Sequence, residues 1–210
     1  VPQPVPGTER MMSAQSVDVA FALRGESIRA DYRWALYEAL RGILEWLEDE
    51  PLAGIHPLKG LFGMGERAGL SRRTKLVLRL PRGRIEQAGR LAGRRLALEG
   101  ELQVGEPVVR ELPGYPVVYA GLVSLGTSDE LAFHARLSAA VERAEVKCEP
   151  IVGKVREIGS GEARCGGFSV MLHGLAPEDS LRIQAGGLGE HRKLGCGIFV
   201  PHKSIAPVGG

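Results

Sequence analysis

The chain has 210 residues, 44% of them hydrophobic, and 27 basic side chains against 25 acidic ones give a formal net charge of +2. That suffices for one large domain or two small ones, and no apolar run reaches the roughly 20 residues that cross a bilayer. Cys148, Cys165 and Cys196 form no CxxC pair, which argues against a disulfide frame or a structural zinc site and fits a reducing cytoplasm.

Along the chain, the proline-rich start lacks a basic-then-apolar secretory pattern, so residues 1–15 read as a disordered leader. Residues 17–23 alternate at period two and predict a strand. Residues 31–47 place Leu36, Leu40, Ile43, Leu44 and Leu47 at helical spacing, with Asp31 as N-cap and Pro51 closing the helix. Residues 55–59 read as extended, 74–80 as a strand stopped by Pro81, 85–91 as a short helix, and 95–98 with 102–108 as a strand pair. In the second half, 117–123 predicts a strand, 129–144 a helix, 147–151 and 153–158 short strands, and 167–173 a longer one. Pro177 opens a helix running to Ala185, with acids in its first turn, and 198–200 is a terminal strand. Both halves thus run strand, helix, strand, strand, helix, strand. This predicts an α+β chain of tandem ferredoxin-like (βαββαβ) domains at 16–110 and 111–210, joined near Pro107 to Pro116.

Charge is unevenly placed. From Arg67 to Arg95 ten residues are basic and only Glu86 is acidic, whereas six acids between Asp31 and Glu50 face only Arg33 and Arg41. A concentrated basic stretch points to a polyanion, usually nucleic acid, although an arginine-rich solvated face has the same composition. Arg72, Arg73 and Lys75 lead into the strand at 74–80, and Arg82 and Arg84 leave it, so they could line a groove. Aromatic residues make up only 5% of the chain, too few for a stacked-base platform, so phosphate and groove contacts should dominate.

The most informative stretch is GLGEHRKLGCG at 187–197, between the last predicted helix and the last strand. Gly187, Gly189, Gly195 and Gly197 let the backbone approach a ligand closely, and successive amides can cradle an anion. His191, Arg192 and Lys193 add charge inside the loop, and His202 and Lys203 follow the last strand. No Gly-Lys-Ser/Thr closes the loop, and its helix-then-strand context is the reverse of a dinucleotide fingerprint. A tight turn with no ligand remains the plain alternative.

This loop resembles the C-terminal glycine-rich signature of RAMP proteins, specifically the CRISPR repeat-processing endoribonucleases. RKLGCGIFVPH (192–202) and LAGIHPLKG (52–60) are similar to the MYXAN subtype, and the likeness runs from about Ser16 to Ile205. It implies a cytoplasmic, metal-independent endoribonuclease that needs no cofactor, binds CRISPR repeat RNA and stays with it among the other subunits of an interference complex. It also implies a catalytic histidine at the end of the first helix or in the following connection, which His56 fits. A nearby lysine and a tyrosine from that helix complete the set in some members; Lys59 and Tyr37 fit, with Tyr32 as rival to Tyr37. The alternative is a non-catalytic RNA-binding RAMP subunit of such a complex.

RNA cleavage without a metal needs an in-line 2′-hydroxyl, groups that move two protons, and cations for the phosphorane-like charge. Histidine is the natural proton carrier. His202 is the second choice and His191 is read as a phosphate contact. His134 belongs to a helix surface or core, and a metal pair of His173 with Cys165 lacks further ligands.

Overall fold

The computed structural model describes residues 16–63, 65–160 and 163–203; the expected leader at 1–15 lies outside them. The first half comprises β1 (Ser16–Arg24), β2 (Ser27–Arg29), α1 (Arg33–Arg41), β3 (Gly54–Ile55), β4 (Leu61–Phe62), β5 (Arg67–Leu70), β6 (Lys75–Pro81), α2 (Ile85–Ala88), β7 (Arg95–Ala97) and β8 (Glu101–Glu111). The second comprises β9 (Val117–Val123), α3 (Glu130–Arg143), β10 (Glu149–Ser160), β11 (Ala163–His173), α4 (Pro177–Gly186) and β12 (Val200–Pro201).

Alternation explains β1: Val17, Val19, Phe21 and Leu23 are buried on the face toward the first core. Its neighbours β6 and β8 are both antiparallel to it. With β3 beyond β6 and β7 beyond β8, the sheet order is β3-β6-β1-β8-β7. The second sheet, also antiparallel throughout, runs β10-β11-β9-β12. In each half a helix follows the first strand, and a second helix precedes the strand that returns beside it.

Several elements differ from the sequence reading. The helix expected over 31–47 is α1 alone, followed by a 3-10 turn at Glu45–Leu47. Its N-cap is Tyr32, without a side-chain bond, because Asp31 is taken by Arg29 (Nε–Oδ1 2.8 Å). At α3 the helix starts where expected, and Asp129 caps it by accepting the Ala132 amide at 2.8 Å. The two short strands expected between 147 and 158 are one long strand, β10, with a register shift between Val152 and Val155. A three-stranded sheet, β2-β5-β4, has no counterpart in the sequence reading; its strands are two to four residues long and too short to show a period. Strand β8 continues to Glu111, through part of the expected junction.

The two halves bury separate hydrophobic clusters. A small third cluster, Leu122, Cys165 and Cys196 with Trp34 against it, spans them. Among the described residues, no helix is long and apolar enough to cross a membrane.

Candidate active site

One row of residues crosses the first sheet: Gly54 on β3, Arg79 on β6, Asp18 on β1 and Arg110 on β8 are successive cross-strand partners. Asp18 breaks an otherwise apolar run, and its carboxylate is held by a two-point pair with Arg79: Nε donates to Oδ1 at 2.8 Å and Nη2 to Oδ2 at 3.0 Å. Arg79 is fully buried, at 1% exposure. Its remaining nitrogen, Nη1, donates to the carbonyls of Gln184 (3.0 Å) and Phe199 (2.5 Å), so one side chain ties the first sheet to both ends of the loop that carries 187–197.

His56 joins this network. It follows β3, its amide donates to Val77 O at 2.9 Å, and its Nε2 lies 3.1 Å from Asp18 Oδ1. The segment is fixed from behind by Tyr32, whose buried hydroxyl accepts the Leu58 amide at 2.8 Å. Tyr32, the rival to Tyr37, is therefore a support of the His56 segment. A cavity of about 240 Å³ is lined by Asp18, His56, Lys59, Arg73, Lys75 and Arg110 together with Pro57, Val77 and Val200. Residues distant in sequence thus bring several cations to one histidine.

Burial is the largest influence on the His56 imidazole and pulls it below its ordinary value; the Asp18 bond opposes this, while Arg79 and Lys59 reinforce it. Burial also opposes the charge on Asp18, but its bonds to His56 and Arg79 win and hold the carboxyl well below the usual carboxylate range. Of those two, Arg79 is the decisive partner, because a neutral imidazole supplies a hydrogen bond and no charge. A lowered histidine gives stability that is lost as pH falls below its unfolded value of about 6.5 toward the folded one, and a lowered carboxyl gives stability lost below about 3.9. Thermal unfolding followed from pH 7.5 to 4.5 should therefore show a decline starting near 6.5, shallower in His56→Gln. Equal slopes in the two proteins would contradict a buried neutral His56.

The glycine-rich loop packs against the His56 segment. A Cβ placed on Gly195 would lie 3.2 Å from both Ile55 O and Pro57 Cδ. Gly187 (φ 69°) and Gly197 (φ 64°) are required by close backbone approach: a Cβ on Gly197 would stand 2.2 Å from Leu188 O. Much of the loop's amide set is already bonded, since Glu190 donates to Ser124 O, Gly195 to Arg192 O and Gly197 to Leu122 O. Gly189, at φ 80°, approaches the Ser124 carbonyl. Cys196 lies with its sulfur 3.7 Å from that of Cys165, both buried, which seats the loop on β11. His191 sits in the left-handed region (φ 61°) and is exposed.

The other sequence-predicted residues scatter. Arg192 turns inward: Nη2 donates to Ala185 O (2.9 Å) and Leu52 O (3.3 Å), Nε and Nη1 have no partner among the described residues, and burial pushes the guanidinium down to about 10. Lys193 donates to Glu48 O and Arg33 to Leu194 O, so α1 and the following turn hold the loop. Tyr37 does not line the His56 cavity. It lines a different one, of about 510 Å³, with Trp34, His191 and Lys193. Arg72 is exposed, Arg73 and Lys75 reach the His56 cavity, Arg82 pairs with Glu111 and Arg84 pairs with Glu50 and stacks on Trp46. The His202 ring packs on Tyr119 (5.6 Å between centroids), Lys203 is exposed, and His134 is exposed on α3. His173 and Cys165 lie on the same strand near opposite ends of β11. Asp18, Arg79 and Arg110 were missed by the sequence reading as site residues; the signal for Asp18 was a lone carboxylate inside an apolar alternation.

A family model described as Cas6 Crispr matches residues 17–204. The CRISPR-associated endonuclease Cas6 of Myxococcus xanthus (strain DK1622) is 33% identical over 194 residues, spanning 91% of this chain and 84% of that protein. Among solved structures, a CRISPR associated protein Cas6 superposes with TM-score 0.70 at 14% identity, over 90% of this chain and 100% of its own. A RAMP protein binding different RNA substrates superposes with TM-score 0.64 at 13% identity, over 88% of this chain and 98% of its own. At those identities the structural likeness speaks to the fold.

Proposed function

This chain belongs to the Cas6 family, and from that premise we propose that it is a metal-independent endoribonuclease cutting precursor CRISPR RNA within the repeat. The observation that carries the reading is the meeting of a desolvated imidazole, His56, with Lys59, Arg73, Lys75 and Arg110 around one cavity. A ribose-phosphate chain brings its own nucleophile, so a base, a proton for the leaving oxygen and a set of cations are sufficient chemistry. His56 takes the proton of the 2′-hydroxyl; the 2′-oxygen bonds to phosphorus while the bond to the 5′-oxygen breaks, and the departing 5′-oxygen takes up a proton from solvent. Lys59 leads in stabilising the charge gathering on the non-bridging oxygens. The products are a 2′,3′-cyclic phosphate, opening to a 3′-phosphate, and a 5′-hydroxyl.

Arg72, Arg73 and Lys75 belong to the RNA track, and Arg110 joins them. Gly187, Gly189, Gly195 and Gly197 shape the loop along which the backbone passes; His191, Lys193, His202 and Lys203 are its polar contacts. Arg192 and Arg84 act from within, through the bonds described above, whereas Arg82 is exposed and paired with Glu111 at the surface. Tyr37, beside His191 in the larger cavity, contacts RNA next to the cut rather than the reacting phosphate. We read the two halves, 16–110 and 111–210, as ferredoxin-like units whose junction forms this track, and the product complex as one that stays bound among other subunits of an interference complex. Cleavage of repeat RNA in excess EDTA tests the assignment, with a 2′-deoxy substitution at the cut site as partner substrate. Cutting of the ribose form alone is expected. Binding of both without cutting of either would make the chain a non-catalytic RNA-binding subunit.

A further inference from the structure

We infer that Asp18 is a positioning residue for His56: it fixes the imidazole as the Nε2–H tautomer, leaving Nδ1 as the basic atom, and is itself fixed by Arg79. This rests on the reading of His56 as the base. Two independent geometries support it. Asp18 Oδ1 lies 3.1 Å from His56 Nε2, and an ionised carboxylate can only accept, so the proton of a neutral ring must sit on Nε2. The carboxylate in turn cannot rotate away, because both of its oxygens are held by a guanidinium that is 1% exposed and anchored to Phe199 O and Gln184 O of the other half. A ring whose second nitrogen is bound by a carboxylate has its orientation as well as its tautomer set, which is what a base needs to meet a single hydroxyl.

The consequence reaches further than the histidine. Arg79 is bonded both to Asp18 and to the carbonyls flanking the glycine-rich loop. Displacement of that loop by RNA would therefore be felt at the ring through one side chain. The charged groups facing His56 are Asp18 on β1, Arg79 and Lys75 on β6, Arg73 before it, Lys59 in its own loop and Arg110 on β8. Asp18 is the one anion among them.

The test is Asp18→Asn beside Asp18→Glu, assayed for single-turnover cleavage of repeat RNA across pH. Asparagine keeps the shape but can present an N–H to the ring, favouring the wrong tautomer. Cleavage should fall on the order of 10²-fold or more, with RNA affinity retained, partial recovery in Asp18→Glu, and the acid limb of the rate profile moved to lower pH. An unmoved limb, or a rate equal to wild type, overturns the inference. Where Asp18→Asn does not fold, nitrogen-15 spectra of the wild-type histidines decide instead: His56 must show protonated Nε2 and unprotonated Nδ1 near neutral pH, and the opposite pattern overturns it. Failure of the parent reading is distinct, since a fully active His56→Ala removes the base while leaving the tautomer result as measured.

Discussion

Replacing His56 with alanine is expected to lower single-turnover cleavage of repeat RNA on the order of 10²–10⁴-fold, the usual effect of removing a positioned acid–base group. Binding should stay close to wild type, because Lys59, Arg73, Lys75 and Arg110 remain around the cavity. The His56 side chain is 8% exposed, so its deletion also leaves a hole and strands one hydrogen-bonding position on Asp18. His56→Gln serves as the control: it refills the space and can still donate to Asp18, yet titrates nowhere near neutral pH. Both variants should be equally inactive, with the glutamine form the more stable. Full cleavage by either would transfer the proton-moving role to His202 or His191.

The second large effect concerns Arg79. Asp18 and Arg79 form a buried two-point pair, and removing one member of such a pair costs about 3–5 kcal/mol, since the other charge stays desolvated. Arg79→Met deletes the guanidinium, keeps an unbranched apolar stem, and leaves the carbonyls of Gln184 and Phe199 without their donor. At roughly 2–4 °C per kcal/mol for a chain of this size, the midpoint of thermal unfolding should fall by about 10 °C. Adding Asp18→Leu should recover part of that loss, because the stranded carboxylate goes with it. A midpoint within a degree or two of wild type for Arg79→Met alone would mean that the pair does not join the halves.

The long periodic elements were legible in the sequence: β1, β6, β9 and α3 lie where the predicted strands and the helix over 129–144 place them. The small sheet β2-β5-β4 was not, because strands of two to four residues carry too little pattern. The same holds for β3, whose two residues pair with β6 and set the position of His56. The glycine-rich loop was recognisable by composition, but not the reason for its glycines. Gly189 answers to the Ser124 carbonyl and Gly195 to Arg33, Ile55 O and Pro57, which are tertiary neighbours. Arg192 and Arg84 show the converse limit: a basic residue in a basic stretch reads as surface charge, whereas burial beneath a loop or stacking on Trp46 depends on contacts far along the chain. Asp18 is a lone carboxylate in an apolar strand, and only the register with Arg79 and Arg110 gives it a use.

The most direct measurement is the chemistry of the ends left when repeat RNA is cut in the presence of EDTA, read by mass spectrometry. A cyclic 2′,3′-phosphate or its 3′-phosphate hydrolysis product, together with a 5′-hydroxyl, is the outcome that His56-assisted attack by the adjacent ribose requires. A 5′-phosphate beside a 3′-hydroxyl would show that water attacked instead, and would contradict it.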